Sequence, residues 1–351
     1  MDIKQALNHI TKNIHLTDDQ MQDVMYTIMR GEASDAQIGA LLMGLRLKGE
    51  SIQEITAAAR VMRDLSIKVN STNIDYLVDI VGTGGDGQNL FNVSTAASFV
   101  ISAAGATVAK HGNRGVSSRS GSSDLLEQAG IQLDLNQIQT ERCLREMNLG
   151  FLFAPNYHQA MKHAIRARKD LGIRTIFNLL GPLTNPANVQ QLVVGVFSDE
   201  LCVPMAEVFK QLGAQHVMVV HSKDGLDEIS LATSTLVAEL KDGQIQTWIL
   251  EPQAFHIEPQ TLYGLDVKDP KESLALIKDA LGRNKSPLGQ KAADLIALNA
   301  GAGIYVSGLA TTYAEGVLFA QDIIDGGQAL EKMSVFAEYT KNIKLAPSTM
   351  E

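Results

Sequence analysis

From residue 77 onward the sequence alternates short strand-like runs with helical stretches, and this pattern limits the fold more than any other feature. Apolar, β-branched runs occupy 77–81, 106–109, 151–153, 191–197, 216–221 and 246–250. Helical periodicity fills 93–104, 123–128, 136–147, 158–168 and 201–212. Strands separated by helices predict a largely parallel sheet covered on both faces. Before residue 70 the texture is helical only. Thr17-Asp18-Asp19-Gln20, Ser34-Asp35-Ala36-Gln37 and Ser51-Ile52-Gln53-Glu54 each place a hydroxyl N-cap three residues ahead of Gln or Glu, the pattern of a capping box. Met21, Val24, Met25, Ile28 and Met29 then keep one face apolar, as do Ile38, Leu41, Leu42 and Leu45. Ile52, Ile55, Met62 and Leu65 do the same behind the third box. The expectation is α/β: a small α-helical domain over 1–70, then a larger α/β domain over 71–351 with a central, mostly parallel sheet flanked by helices. Gly181-Pro182 and Asn185-Pro186 make 172–186 read as a loop or hinge, with part of 165–190 packing on the helical domain.

A length of 351 residues suits two domains at about 150 residues each. Thirty Lys+Arg against 39 Asp+Glu give a net charge of −9, which argues against non-specific binding to nucleic acid or acidic membranes. Aromatics at 5% disfavour a base-stacking platform. The longest uncharged run, 295–314, could span a bilayer by count. It carries Asn299, Ser307, Thr311 and Thr312, so a buried helix–loop–helix is expected. Residues 1–16 carry charges and no apolar core, so no signal peptide is expected. Cys143 and Cys202 lie far apart without metal-type spacing, which suits a reduced, cytoplasmic protein.

Directly after the first strand comes Gly82-Thr83-Gly84-Gly85-Asp86-Gly87. Read literally it satisfies G-x-G-x-x-G, the dinucleotide fingerprint. That fingerprint requires a helix to open at once and an acid about 20 residues later for the ribose. Here Gln88-Asn89-Leu90-Phe91 intervenes, and no Asp or Glu lies between Asp86 and Asp124. The dinucleotide reading fails. What survives is a glycine-rich loop whose amides can converge on an anion, followed by Asn92-Val93-Ser94-Thr95, N-cap residue types at a helix start. The acid-free stretch 87–123 also holds Lys110, His111, Arg114 and Arg119, the most basic-biased part of an acidic chain. Two anion-binding loops after adjacent strands suggest a ligand with two phosphate groups. Asp227-Glu228 follows the 216–221 strand, and hard carboxylates beside phosphate are what Mg²⁺ requires.

These pieces, in this order, resemble the anthranilate phosphoribosyltransferase family of tryptophan biosynthesis. The resemblance rests on Gly82-Thr83-Gly84-Gly85-Asp86, Asn92-Val93-Ser94-Thr95, Lys110-His111-Gly112-Asn113-Arg114 and Ser117-Ser118-Arg119-Ser120-Gly121-Ser122. It extends through Arg174-Thr175-Ile176-Phe177-Asn178, Gly181-Pro182-Leu183-Thr184-Asn185-Pro186 and Asp227-Glu228. It covers nearly the whole chain and implies an α/β body like that of pyrimidine nucleoside phosphorylases. It also implies a homodimer through the helical domain. The implied reaction transfers the 5-phosphoribosyl group of PRPP to the amine of anthranilate, releasing pyrophosphate.

By matching positions, the resemblance places PRPP against Gly82, Gly85, Asp86 and the run Asn92, Val93, Ser94, Thr95. Lys110, His111, Gly112, Asn113, Arg114 and Gly115, with Ser117, Ser118, Ser120 and Ser122, would complete that site. Anthranilate would meet Gly82, His111, Asn113, His158 and Arg168, the last receiving its carboxylate. Ser94, Asp227 and Glu228 would hold two Mg²⁺ per active site, and Lys110, Asp227 and Glu228 would carry catalysis. Departures from the usual family pattern are Leu90 where Thr is common, Gln159 where Pro commonly follows the histidine, and Gly115 in place of Ala. The rival readings are a pyrimidine nucleoside phosphorylase-like enzyme, which gives Asp227-Glu228 no purpose, and a non-catalytic nucleic-acid-binding homologue, which predicts a basic surface. Neither nucleic acid nor a membrane is an expected partner.

Overall fold

The computed structural model describes residues 1–85, 87–115 and 119–345. The chain opens with α1 (Ile3–Ile10), α2 (Asp18–Met29), α3 (Asp35–Lys48) and α4 (Ile52–Asp64). All three expected capping boxes form: the Thr17, Ser34 and Ser51 side chains accept from the N3 amides of Gln20, Gln37 and Glu54. The reciprocal half closes each box, with Gln20 Oε1 taking the Thr17 N–H at 3.0 Å. Two orphan donors are thereby satisfied at each helix start. Glu54 goes further. Its fully buried carboxylate also accepts from the Leu16 amide at 2.9 Å and pairs with Lys48 at 2.8 Å, stitching α3, α4 and the α1–α2 connection together.

Beyond residue 70 follow β1 (Leu77–Gly82), α5 (Val93–Ala103), β2 (Thr107–Gly112), α6 (Ser122–Gln128), α7 (Gln137–Met147) and β3 (Leu149–Phe153). Then come α8 (Ala154–Tyr157), α9 (Lys162–Leu171), α10 (Ile176–Leu183), β4 (Gln191–Gly195), α11 (Cys202–Gln211) and β5 (His216–Ser222). The chain finishes with β6 (Thr235–Lys241), β7 (Gln244–Leu250), α12 (Pro270–Leu281), α13 (Pro287–Ser307), α14 (Tyr313–Asp325) and α15 (Gln328–Leu345). The sheet of the described residues runs β3-β2-β1-β4-β5-β6-β7. Pairing is parallel from β3 to β5 and antiparallel for β6 and β7.

Two readings need correction and a third holds. The 172–186 segment is no simple loop, because α10 lies inside it, with Pro182 in its last turn at the loss of one backbone donor. The 235–241 run, unassigned from sequence, is a strand, joined to β7 by Asp242 and Gly243, both at positive φ. That two-residue turn matches the twist of a hairpin. The 295–314 run is helix–turn–helix as expected, its first part in α13 and its last in α14. No helix among the described residues is long and apolar enough to cross a membrane.

Apolar side chains on the two sheet faces belong to separate clusters. Val78, Ile80, Val108 and Met218 pack with α5 and the C-terminal helices. Ala109, Leu152, Val194 and Val219 pack on the other side with α11, α10 and the N-terminal helices, so this second core continues across residue 70. Arg63 strengthens that join from the end of α4. Its buried guanidinium donates to the Leu183 carbonyl at 2.6 Å and to Asn188 Oδ1 at 3.3 Å, and burial pushes it down to about 10.

Candidate active site

The strand order reverses direction at β1: β2 and β3 lie on one side of it, β4 and β5 on the other. Open α/β sheets form a ligand crevice at the carboxyl ends of the strands beside such a reversal. The two strand ends that flank it here are glycines. Gly82 of β1 is in register with Gly195 of β4, and the segment carrying Asp227 crosses directly over both. A Cβ at Gly82 would stand 2.6 Å from Asp227 Oδ2, and one at Gly195 would overlap the Asp227 carbonyl. These two glycines therefore serve close approach, not an unusual backbone. Gly84, Gly85 and Gly87 differ, since each has positive φ.

Asp227 and Glu228 sit between two fully buried anchors, Leu226 and Ile229. Asn299, buried on α13, fixes the segment by taking the Ile229 N–H at 3.0 Å and donating to its carbonyl at 2.9 Å. Asp227 Oδ2 accepts the Gly84 N–H at 2.7 Å, so this carboxylate also shapes the glycine loop. On the other side of the loop Arg174 donates to the Gly85 carbonyl and stacks over Phe197, 4.4 Å from the ring centroid. Asp86, and with it Ser117 and Ser118, lies outside the described residues.

Helix α5 begins at the crevice with its N-cap open. Asn92 does not cap it, contrary to the reading of its residue type. Its side chain instead donates to the Ser120 carbonyl at 3.0 Å and accepts from Ser120 Oγ at 2.7 Å and Ser273 Oγ at 2.8 Å. The helix start is thereby tied to the serine-rich loop. Val93 is buried at N1, while the Ser94 and Thr95 amides belong to the first turn, where no intrahelical acceptor exists. Lys110 reaches the same place from β2, its Nζ 2.6 Å from the Ile80 carbonyl and 3.4 Å from Ser94 Oγ. Burial pulls the Lys110 ammonium down from its ordinary value, against the opposing charges of Asp79 and Glu228.

The remaining expected residues divide. His111 turns its ring toward Gly181 and His158: Nδ1 lies 3.1 Å from the Gly181 carbonyl, and the two imidazoles are 5.2 Å apart. Burial pushes His111 down to about 3 and His158 to about 4, so both rings are neutral at neutral pH. Gly112 leaves room for Ser122 and Phe151, and Ser122 Oγ donates to the Asn113 carbonyl at 3.2 Å. Arg114 points elsewhere. Its guanidinium is engaged by Glu127 at 2.7 Å and Asp124 at 3.2 Å, and the Gly115 amide also donates to Asp124. Arg168 stacks over Phe177 with its charge half-buried. Gln159, the departure after His158, starts a 3-10 turn, and Leu90 makes a lone bridge to Asp266.

Sequence reasoning missed Asp79 and Asn185 as members of this site. Asp79 is fully buried in β1 and accepts from His111 N at 3.3 Å and Asn185 Nδ2 at 2.7 Å. The available signal was an acid inside Leu77-Val78-Asp79-Ile80-Val81, a run otherwise apolar on both faces.

Among the described residues, the buried side-chain polar atoms without a hydrogen-bond partner all lie on segments bordering this crevice. They are Thr83 and Thr95 Oγ1, Ser123 Oγ, Thr175 Oγ1, His111 Nε2 and the His158 nitrogens. Such atoms cost stability unless something else satisfies them, so their clustering marks a polar ligand site. Residues 75–330 match the family described as glycosyl transferase family, a/b domain, and residues 4–66 its helical bundle domain. An anthranilate phosphoribosyltransferase of Acinetobacter baylyi is 73% identical over 344 residues, covering 98% of this chain and 99% of that one. The chain belongs to the anthranilate phosphoribosyltransferase family.

Two solved structures of the family's Saccharomyces cerevisiae member are similar throughout. One, in complex with PRPP and Mg, is 28% identical with a TM-score of 0.88, covering 97% of this chain and 98% of that one. The other, in complex with 4-fluoroanthranilate, is 27% identical with a TM-score of 0.85, covering 97% and 99%. Family membership accounts for the arrangement of the crevice: a glycine loop, an open helix start and a buried lysine, with two neutral imidazoles beside them.

Proposed function

We propose that this chain transfers the 5-phosphoribosyl group of PRPP to the amine of anthranilate, giving N-(5-phosphoribosyl)anthranilate and pyrophosphate in tryptophan biosynthesis. The observation that carries this reading is the convergence of Lys110, Ser94 and the Asp227–Glu228 segment at the carboxyl ends of β1 and β2, beside neutral His111. Family membership at high identity supports it.

The residues fit Mg²⁺. Among the described residues no three His, Cys, Asp or Glu side chains form a metal cage. Mg²⁺ on a pyrophosphate does not need one, since it takes one or two carboxylates and fills its shell with phosphate oxygens and water. Asp227, Glu228 and the Ser94 hydroxyl supply that kind of donor set, and we assign two ions to it. When bound, Mg²⁺ supplies charge neutralisation of the departing pyrophosphate.

Chemistry at C1 breaks the bond to the pyrophosphate oxygen and forms a bond to nitrogen, with positive charge developing on the ribose carbon between. The amine of anthranilate is neutral at pH 7 and is already a nucleophile. It needs alignment more than a base. His111 and His158, held neutral with very low proton affinity, make poor bases and serve as walls for the aromatic ring. Lys110 brings a fixed positive charge to the phosphate end, Ser94 and Thr95 bring amides, and the glycine loop closes over them. Gly82, Gly85, Asp86, Asn92 and the Ser117–Ser122 loop belong to that end. Asn113 and Arg168 belong to the acceptor end, with Arg168 receiving the carboxylate. For Arg114 we propose support of α6 through Asp124 and Glu127.

We further propose a homodimer through the helical domain of 1–70, on which part of 165–190 packs, while 71–351 forms the catalytic body. Exposed Met43 and Leu47, one turn apart on α3, and exposed Ile165 on α9 support that surface. Two buried free cysteines support a reducing, cytoplasmic setting. The deciding experiment is fluorescence. Anthranilate emission disappears when PRPP and Mg²⁺ are added to purified protein, and persistence of that emission overturns the assignment.

A further inference from the structure

Strand β1 changes partner part-way along. It is in register with β2 at Leu77–Thr107 and Val78–Val108, and with β4 from Asp79 to Gly82. Strand β2 meanwhile continues beside β3 as far as Gly112. The two strands therefore part at Asp79, and side chains meet the backbone groups that a longer ladder would have paired. The His111 N–H donates to Asp79 Oδ1 at 3.3 Å, and the Ile80 carbonyl accepts from Lys110 Nζ at 2.6 Å. Asn185 closes the gap from the 184–187 turn. Its Nδ2 donates to Asp79 Oδ2 at 2.7 Å and to the Ala109 carbonyl at 2.8 Å, while Oδ1 accepts the Ala187 N–H at 2.9 Å. Asp79 is completely buried and Asn185 nearly so.

We propose that Asp79 is the positioning residue of this site: with Asn185 it forms a polar wedge that holds β1 and β2 apart and so sets both Lys110 and His111. Asp79 lies behind the reacting groups. Its two oxygens each take a donor, one from β2 and one from the Asn185 turn, and neighbouring Gly181 holds the His111 ring through its carbonyl at 3.1 Å. One carboxylate thus fixes consecutive residues of β2, the first at the phosphate end of the crevice and the second at the acceptor end. The role of those two ends rests on the function proposed above.

The wedge requires an acid at 79. Asn185 cannot reverse its amide without losing the bonds to Ala109 and Ala187, so its Nδ2 must face position 79 as a donor. An amide at 79 would set a second donor against either Asn185 or His111. Asp79→Asn keeps shape and volume and still breaks one arm of the wedge. Adding Asn185→Asp returns an acceptor opposite that amide and preserves net charge, at the loss of the Ala109 bond and with a carboxylate oxygen left facing the Ala109 carbonyl.

The test compares the wild type, Asp79→Asn and the Asp79→Asn/Asn185→Asp pair in three measurements. These are thermal melting, kcat and KM for each substrate with Mg²⁺, and hydrogen exchange over 107–112. The expected result is a folded Asp79→Asn enzyme with kcat/KM for anthranilate down roughly a hundredfold, as about 1 Å of misplacement costs. Exchange at 107–112 should quicken. The double variant should recover on the order of tenfold and regain protection, since one buried hydrogen bond has been restored. Kinetic constants within about twofold of wild type in Asp79→Asn overturn the wedge, the factor being well under the cost of one lost hydrogen bond. So does activity that falls only in step with melting temperature and is not rescued by the pair. If Asp79→Asn does not fold, Asn185→Ser decides: a several-fold rise in anthranilate KM supports the wedge and an unchanged value overturns it. A wild type inactive with PRPP and anthranilate would strike the functional reading alone, and the exchange data would still decide the wedge.

Discussion

The Arg168 guanidinium lies 5.1 Å from the centroid of the Phe177 ring and makes no hydrogen bond or ion pair among the described residues. An arginine held by a ring face and otherwise unpaired keeps its donors for an incoming anion. Arg168→Ala should therefore raise the anthranilate KM by roughly ten- to a hundredfold, the worth of a charged hydrogen-bonded pair. The PRPP KM should stay within about twofold, because no donor to a phosphate is removed. Steady-state kinetics varying each substrate in turn checks this, and equal rises in both constants would sink the role.

Asp227→Asn combined with Glu228→Gln should reduce kcat by about a thousandfold or more, the loss of several kcal/mol of charge stabilisation at the leaving group. The amide at 227 can still accept the Gly84 N–H, so the glycine loop should keep its shape. Rates measured across a Mg²⁺ titration give the answer. Wild-type turnover at limiting Mg²⁺ would remove both residues from the metal assignment.

Acid should destabilise the fold through the two buried imidazoles. His111 at about 3 and His158 at about 4 both lie below the ordinary histidine value of 6.5. Their contribution is complete above pH 6.5 and is withdrawn as the pH falls toward those values, at up to about 1.4 kcal/mol per pH unit each. Asp79 works in the opposite sense. Burial raises it to about 6, so its contribution is present below its ordinary value of 3.8 and is lost as the pH rises through 6. Between about pH 4 and 6, two imidazoles against one carboxyl leave a net slope near one proton. Urea denaturation at pH 7.5, 6 and 5 should show stability falling with acid, and His158→Gln should flatten the fall.

Gly195→Ala should cost roughly 3 kcal/mol, because its Cβ would overlap the Asp227 carbonyl and force that segment off the sheet end. Gly181→Ala is the control, since a Cβ there meets nothing within 4 Å, and it should stay within about 0.5 kcal/mol. Chemical denaturation of the two variants side by side distinguishes a packing conflict from a general intolerance of substitution.

Much of the fold was legible because its signals are local. A capping box needs only residues three apart, and Thr17–Gln20, Ser34–Gln37 and Ser51–Glu54 all closed as read. Local reading failed where chemistry and position conflict. Gly181-Pro182 hid α10 because both residues read locally as breakers, yet the helix runs through them to Leu183. The β6–β7 hairpin was missed although Asp242-Gly243 is a two-residue turn pair, since Glu239 interrupts the apolar pattern. That glutamate is half-buried and satisfied by His216 at 2.9 Å, Tyr305 at 2.8 Å and Trp248 at 3.0 Å.

The site divides along the same line. Loop chemistry was readable: glycines, serines, a lysine and an acid pair, each following a strand. Which of these side chains meet was decided by the sheet, which brings Asp227 onto Gly82 and Gly195 and turns Arg114 aside to Glu127. Asn92 carries a capping side chain, but Ser120 and Ser273 claim it. Asp79 and Asn185 are 106 residues apart and meet only because β1 trades β2 for β4 at that point. Propensity and periodicity act over a few residues and are written into the chain. Strand order and the burial of one charge against a distant amide come from packing the whole molecule, and only the folded structure holds them.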